Sequence, residues 1–385
     1  MPSTEEPAEI RDFGALHAKD GQQEPPRRTP RVMIDPLAAV RRPGDPFVDV
    51  FCAGQVFFDI VFTGLEQMPP PGTEEWAPGM GSSPGGLANM AVAMRRLGLR
   101  TWLAAAFGDD LYGDYCWDTL ATQEDIDLSA SRRFDGWHSP VTVSLAVGRD
   151  RTMVTHGHPP PQTLDQMIGS PPPVRACFAA LTLDDQTWVK NARDSGALVF
   201  ADLGWDTTQQ WSAQMLAKLA SCDVFLPNAH EAMTLSRTGD PTAAARVLAE
   251  HVPVVVVTRG RDGAYAIDQS TGETADVPGL SVEAIDPTGA GDVFGAAFVV
   301  GTLAGWELAD RLRFANLCAA LSVQHFGGSL AAPGWGEITS WVHANIDCIQ
   351  SSESLREYAF LAELVPDVTL TPVRRAGATL GLRHR

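Results

Sequence analysis

The run Asp286-Pro287-Thr288-Gly289-Ala290-Gly291-Asp292 combines turn residues, two closely spaced glycines and a carboxylate. Val293-Phe294-Gly295-Ala296-Ala297-Phe298 follows, small and apolar at helical spacing, so the run reads as a loop feeding a helix N-terminus. The first amides of a helix lack intrahelical partners and sit at the positive end of its dipole. Glycines let an anion approach those amides, so Gly289, Ala290, Gly291 and Asp292 form a candidate cradle for developing negative charge. Asp292, at its rim, is a poor anion binder, but it suits accepting a proton from a hydroxyl that attacks phosphorus. Alone, the run would serve equally as a Gly-rich turn with a helix-capping Asp.

It is not alone. The run resembles the D-T-x-G-A-G-D-x-F signature of the ribokinase-like (PfkB) carbohydrate kinases, with Pro287 where the family usually carries Thr. Ser83-Pro84-Gly85-Gly86-Leu87-Ala88-Asn89 resembles the family's N-terminal signature, with Pro84 at the first glycine position. The resemblance implies that Asp59, Gly85, Gly86 and Asn89 hold substrate hydroxyls, for which a carboxylate and an amide have the right donors and acceptors. Asn228-Ala229-His230-Glu231 matches the family's N-x-x-E motif, implying Asn228 and Glu231 near phosphate and Mg²⁺, with Glu231 holding the metal through water. Thr258-Arg259-Gly260-Arg261-Asp262-Gly263 resembles its T-x-G-x-x-G turn, which implies Thr258, Gly260 and Gly263 along the nucleotide, with Asn316 beyond. The cofactors implied are ATP and Mg²⁺, with room for a monovalent cation, and pairing of lids would make a homodimer. Structural readings exist beside each of these: a turn Asp, a helix-start Asn and an ordinary β-turn.

Elements able to position these residues recur along the chain. Val48 to Gly54 reads as a buried first strand, with Asp59 five residues after Gly54, close to its C-terminal end. Residues 66–84 are rich in Pro, Gly and Ser, and a helix follows to about Leu97. Thr101–Ala106 is the next strand, and Asp109 and Asp110 suit a helix cap. Val141–Val147 alternates as a strand, with Arg149-Asp150-Arg151 as its turn. Strand-like runs at 177–181, 197–201, 224–226 and 254–257 alternate with helical stretches at about 186–195, 207–220 and 241–251. That spacing implies βαβ units and a parallel sheet, with Asp202, Asn228 and Thr258 along its ligand-binding edge. The expected fold class is α/β: ribokinase-like, a central mainly parallel sheet flanked by helices, with a small β-lid from about 60–84 and 134–156. A disordered extension over 1–46, a kinase domain over 47–345 and a tail over 346–385, helical at most around 354–364, complete the expected organisation. Met33 is a candidate alternative start.

Composition narrows the function. A net charge of −18 argues against nucleic acid or an anionic membrane as partner. The only lysines are Lys19, Lys190 and Lys218, and none lies in a G-x-x-x-x-G-K-S/T loop or ends a V-A-I-K strand, excluding Walker-type NTPases and protein kinases. Six cysteines without C-x-x-C spacing and a charged, Pro-rich N-terminus point to a reduced, cytoplasmic protein. His156-Gly157-His158 offers two metal ligands with no third nearby in sequence, so the expectation is against a metal there. No Lys or Arg lies between Phe47 and Met94, which favours an unphosphorylated sugar unless Arg132, Arg133, Arg149 or Arg151 reaches the substrate. Phe57 beside Asp59 keeps a nucleoside acceptor open. A sugar- or nucleotide-binding protein without catalysis is the remaining reading, disfavoured because such a protein has no use for Asp292.

Overall fold

The computed structural model describes residues 34–377, except 148–149, 185, 204–210, 212–213, 352 and 367–369. The proposed alternative start, Met33, lies outside the described residues, as does Arg149. The first strand, β1 (Val48–Ala53), is buried throughout. Its one charge, Asp49, accepts from the Arg41 guanidinium at 2.6 and 2.9 Å and from the Arg100 amide at 2.9 Å. Arg41 also donates to Asp35, and Leu37 is fully buried in the core, so the folded chain includes residues from 34 rather than beginning at Phe47.

Strand β2 (Val56–Leu65) contains Asp59, which the sequence reading placed close to the end of the first strand without a strand of its own. It pairs antiparallel with β3 (Gly79–Gly86), so Pro84, Gly85 and Gly86 belong to a strand and deliver the chain to α1 (Leu87–Arg96). Strand β4 (Thr101–Ala104) returns parallel to β1. The short β5 (Ala106–Gly108) leads to α2 (Leu111–Trp117), where Asp110 caps by accepting from the Gly113 amide at 2.7 Å, and β6 (Arg132–Phe134) pairs with β5. Strands β7 (Val141–Val147) and β8 (Asp150–His156) form an antiparallel hairpin, and β7 also pairs with β2. The resulting order β3-β2-β7-β8 is the lid sheet. The hairpin brings His156 and His158 beside His138, a third imidazole that the sequence reading did not place there. A β-hairpin closes distances that sequence spacing hides.

After α3 (Leu164–Ile168), strands β9 (Val174–Leu181), β10 (Leu198–Leu203), β11 (Val224–Phe225) and β12 (Val254–Thr258) run parallel, separated by α4 (Thr187–Asp194), α5 (Gln214–Lys218), α6 (Ala229–Ser236) and α7 (Pro241–Leu248). Strands β13 (Ala264–Asp268) and β14 (Glu273–Val277) close the edge antiparallel, giving the order β14-β13-β12-β11-β10-β9-β1-β4. Alternate strand residues feed two apolar layers: Phe51 and Phe225 join Trp188 and Leu248, whereas Phe178 and Phe200 join Phe298 and Phe314. The second layer comes from α8 (Ala290–Leu303) and α9 (Leu308–Ser322), with α10 (Trp335–Ser351), α11 (Glu353–Arg356) and α12 (Ala359–Leu364) following. The expected tail is therefore packed structure: Tyr358, Leu361 and Leu370 are buried in that layer, and Gly377 bridges to Ser82 of β3. No helix among the described residues is long and apolar enough to cross a membrane.

Candidate active site

A cavity of about 460 Å³ opens at the C-terminal ends of the parallel strands, within the range of small-molecule sites. Asp202 at the end of β10, Asn228 after β11 and Thr258 at the end of β12 line it, and the last two are joined by a β-bridge. This is the edge where an open α/β sheet binds ligands, because its loops and helix N-termini converge there. The opposite wall is the start of α8. Gly289 stands at its N-cap with φ 77°, a left-handed conformation that glycine adopts without strain, and no side chain caps the helix. A Cβ at Gly291 would meet nothing within 4 Å, so the backbone there faces open space. Asp286, nearly fully buried, holds the approach to the helix by accepting from the Thr288 amide at 2.9 Å and the Gly327 amide at 3.2 Å.

Asp292 lines the cavity in the first turn of α8, and Asn89 of α1 donates to its Oδ2 at 2.9 Å. Two signatures 203 residues apart thus meet in one hydrogen bond. The other Asn89 atom, Oδ1, is buried without a hydrogen-bond partner among the described residues. Burial pushes Asp292 up to about 6, against the Asn89 hydrogen bond and the charge of Arg151. Asp59, 7% exposed, is pushed up to about 7, by burial first and then by the charge of Asp292, with Arg151 opposing. Its carboxylate lies over Gly85, where any Cβ would collide with it.

Asp202 is raised well above the carboxylate range by burial and by the charges of Asp292 and Glu231. Glu231 is raised by burial, against its hydrogen bonds with Asn228. Asn228 and Glu231 form a reciprocal cap at the start of α6, at 2.9 and 3.0 Å, while both also line the cavity. These carboxylates, all held above their ordinary range, make a cavity whose charge favours a cation. Oxygen donors of this kind fit a hydrated Mg²⁺, and the open amides of α8 fit a phosphate.

The sequence model of the pfkB family carbohydrate kinases matches residues 182–334, which include α8 and the strands that face it. The nucleoside kinase of Methanothermobacter thermautotrophicus is 27% identical over 297 residues, covering 75% of this chain and 94% of that protein. The 5-dehydro-2-deoxygluconokinase of Geobacillus thermodenitrificans is 23% identical over 327 residues, covering 77% and 93%. Among solved structures, a protein described as a ribokinase II from E. coli, in complex with ATP and Mg²⁺, superposes with a TM-score of 0.64 at 21% identity, covering 77% of this chain and 99% of that one. Over residues 182–334 the chain matches the PfkB carbohydrate kinases, and its fold is that of the ribokinase-like structures.

Within this ribokinase-like frame, two expected nucleotide-side residues sit elsewhere. Asn316 donates its amide to the carbonyls of Val277 at 3.3 Å and Pro278 at 3.1 Å, and does not line the cavity. Gly263, with φ 86°, lies under the same turn, where a Cβ would strike the backbone of residues 277–279. Both shape that turn, whereas Thr258 and Gly260 reach the cavity. Of the lid arginines, Arg133 pairs with Asp114, and Arg132 donates to the carbonyls of Ser129 at 3.2 Å and Ser131 at 2.9 Å. Arg151, on β8, lines the cavity beside Asp292. No spacing in the sequence singles it out, because its position depends on how β7 and β8 fold back.

Proposed function

We propose that the chain transfers the terminal phosphoryl group of ATP to a hydroxyl of an unphosphorylated sugar, with Asp292 as general base. The observation that carries this reading is a carboxylate at an unblocked helix N-terminus, held by Asn89, at the wall of a cavity edged by glycine backbone. Asp59 and the unpartnered Asn89 Oδ1 would bind acceptor hydroxyls and turn one toward Asp292. Asp292 takes the proton as that oxygen attacks phosphorus, and the Gly289 to Asp292 amides hold the migrating group as charge builds on it. Asp202, Asn228 and Glu231 would hold Mg²⁺, largely through water; when bound, it offsets the charge of the nucleotide phosphates. Arg151 lines the cavity, and its charge reaches both Asp292 and Asp59. An acceptor carrying no phosphate of its own is supported by the stretch from Phe47 to Met94, which holds Asp59, Gly85, Gly86 and Asn89 and contains no Lys or Arg.

A nucleoside acceptor is the second reading. It draws on Phe57, a half-buried ring packed against the backbone of Gly86 beside Asp59, and on the similarity to a nucleoside kinase. ATP consumption against a panel of sugars and nucleosides separates the readings. Turnover with unphosphorylated sugars is expected. Turnover confined to nucleosides would select the second reading, and tight sugar binding without turnover would make the chain a binding protein.

A further inference from the structure

We propose that the root of the lid is a metal site, in which the imidazoles of His138, His156 and His158 hold one divalent transition-metal ion of the Zn²⁺ class. One ligand atom from each ring lies within 4.8 Å of the other two. The His138 and His156 rings stack with centroids 5.0 Å apart, and His158 stands edge-on to both at 4.9 and 5.3 Å. Tetrahedral Zn–N bonds of about 2.0–2.1 Å put ligand nitrogens roughly 3.3 Å apart, so binding requires the His138 and His156 rings to tilt out of their parallel stack until their nitrogens converge. The backbone around it is built to hold the rings together. Trp137 Nε1 donates to the Pro159 carbonyl at 3.1 Å, and Gly157 passes so near Pro140 that a Cβ would contact its ring at 2.7 Å. His138 is anchored from the body of the protein: the neighbouring Ser139 amide donates to Asp110 at 2.7 Å, and its hydroxyl accepts from the Gly108 amide at 2.9 Å. The His138 Nδ1 lies 3.1 Å from the Ser139 carbonyl. A proton donated there leaves the Nε2 lone pair for a metal, the outer-shell arrangement that fixes ligating histidines.

Three imidazoles select Zn²⁺, Cu²⁺ or Ni²⁺ over Mg²⁺, which takes oxygen ligands. His156 and His158 are exposed, so water completes the fourth position. The ion would join the end of β8 to the segment held by Asp110 and so clamp the lid edge to the body. This inference is independent of the kinase reading. The test is Zn²⁺ titration of the EDTA-stripped, re-exchanged chain by calorimetry, with melting curves and the visible spectrum of the Co²⁺ form. One tight equivalent is expected, with a raised Tm and the intense bands of a tetrahedral Co²⁺ site. His138→Ala, His156→Ala and His158→Ala should each weaken that equivalent by about 100-fold or more, since even outer-shell partners are worth about 10–100-fold. Their metal-free melting curves should match wild type, and the exposed His251→Ala should bind as wild type does. Excess Mg²⁺ should not displace the ion. A wild-type chain that binds no Zn²⁺, or unchanged binding in the three variants, would overturn the proposal.

Discussion

Asp292 and Asp59 are both held above the ordinary carboxylate range mainly by burial, yet they bear differently on activity and stability. As the proposed base, Asp292 would work only as the anion. Its base form is lost as pH falls through about 6, so kcat/KM should decline on the acid side with a midpoint between there and the value of about 7 at Asp59. A profile flat down to pH ~4.5 would refute that role, because an ordinary, unshifted carboxylate titrates below it. Asp292→Asn keeps an acceptor for the Asn89 amide, so ATP and sugar binding should stay within a few fold while kcat falls about 10²–10⁴-fold. Asp59 carries a stability consequence. Its folded pKa lies above the unfolded value, so the folded state binds its proton more tightly; the stability from that proton is full below about 4 and lost as pH rises through about 7. Asp59→Asn should therefore melt higher than wild type at pH ~8, the difference shrinking as pH falls toward ~4, while the acceptor KM rises. Equal melting temperatures at both pH values would show that burial does not strain Asp59.

Among the elements, the start of α8 carries most of the proposed chemistry, and its local form was also the most legible. Glycines followed by an apolar helical run state a loop-to-helix junction locally, with no need of the rest of the chain. Gly291 tests it. A methyl group there touches no protein atom but projects into open space at the helix start, so Gly291→Ala should leave Tm unchanged or raised, alanine being the better helix former by about 1 kcal/mol. The same variant should lower kcat/KM for ATP at least as strongly as any change in acceptor KM. A fully active Gly291→Ala enzyme would mean that phosphate is bound elsewhere. The lid strands were harder to read. Asp59 lies within β2 because that strand alternates buried and half-buried residues across a two-sided sheet, and its partner β3 is Gly-Met-Gly-Ser-Ser-Pro-Gly-Gly, which has no strand propensity of its own. Pairing with β2 imposes the extended form that composition argues against. Arg151 was one of four lid arginines left open, and His138 went unread beside His156 and His158, because their meeting depends on the β7–β8 register.

At the scale of the molecule, segments that looked like extensions are tied in by a few residues rather than by periodic faces. Leu37 and Arg41 secure the N-terminal turn, and Tyr358, Leu361 and Leu370 the C-terminal helices and the segment beyond them. Such sparse anchoring leaves no repeat for a sequence reading to detect. Arg96 concentrates the effect. It is buried against Glu124 at 2.8 and 2.9 Å, and it donates to the carbonyls of Leu330 at 3.2 Å, Ala332 at 2.6 Å and Arg374 at 2.8 Å. One side chain thus joins α1, the C-terminal segment and the turn whose Gly327 and Gly328 meet Asp286 and Asn89. Arg96→Met would take the paired guanidinium away from the buried Glu124 carboxylate, a change worth about 3–5 kcal/mol, and should lower Tm by roughly 5–10 °C. Removing the second charge tells the two contributions apart. If the loss comes from the carboxylate deprived of that guanidinium, Arg96→Met with Glu124→Gln should recover much of it; if it comes from the three carbonyl contacts, the double variant should melt with the single one.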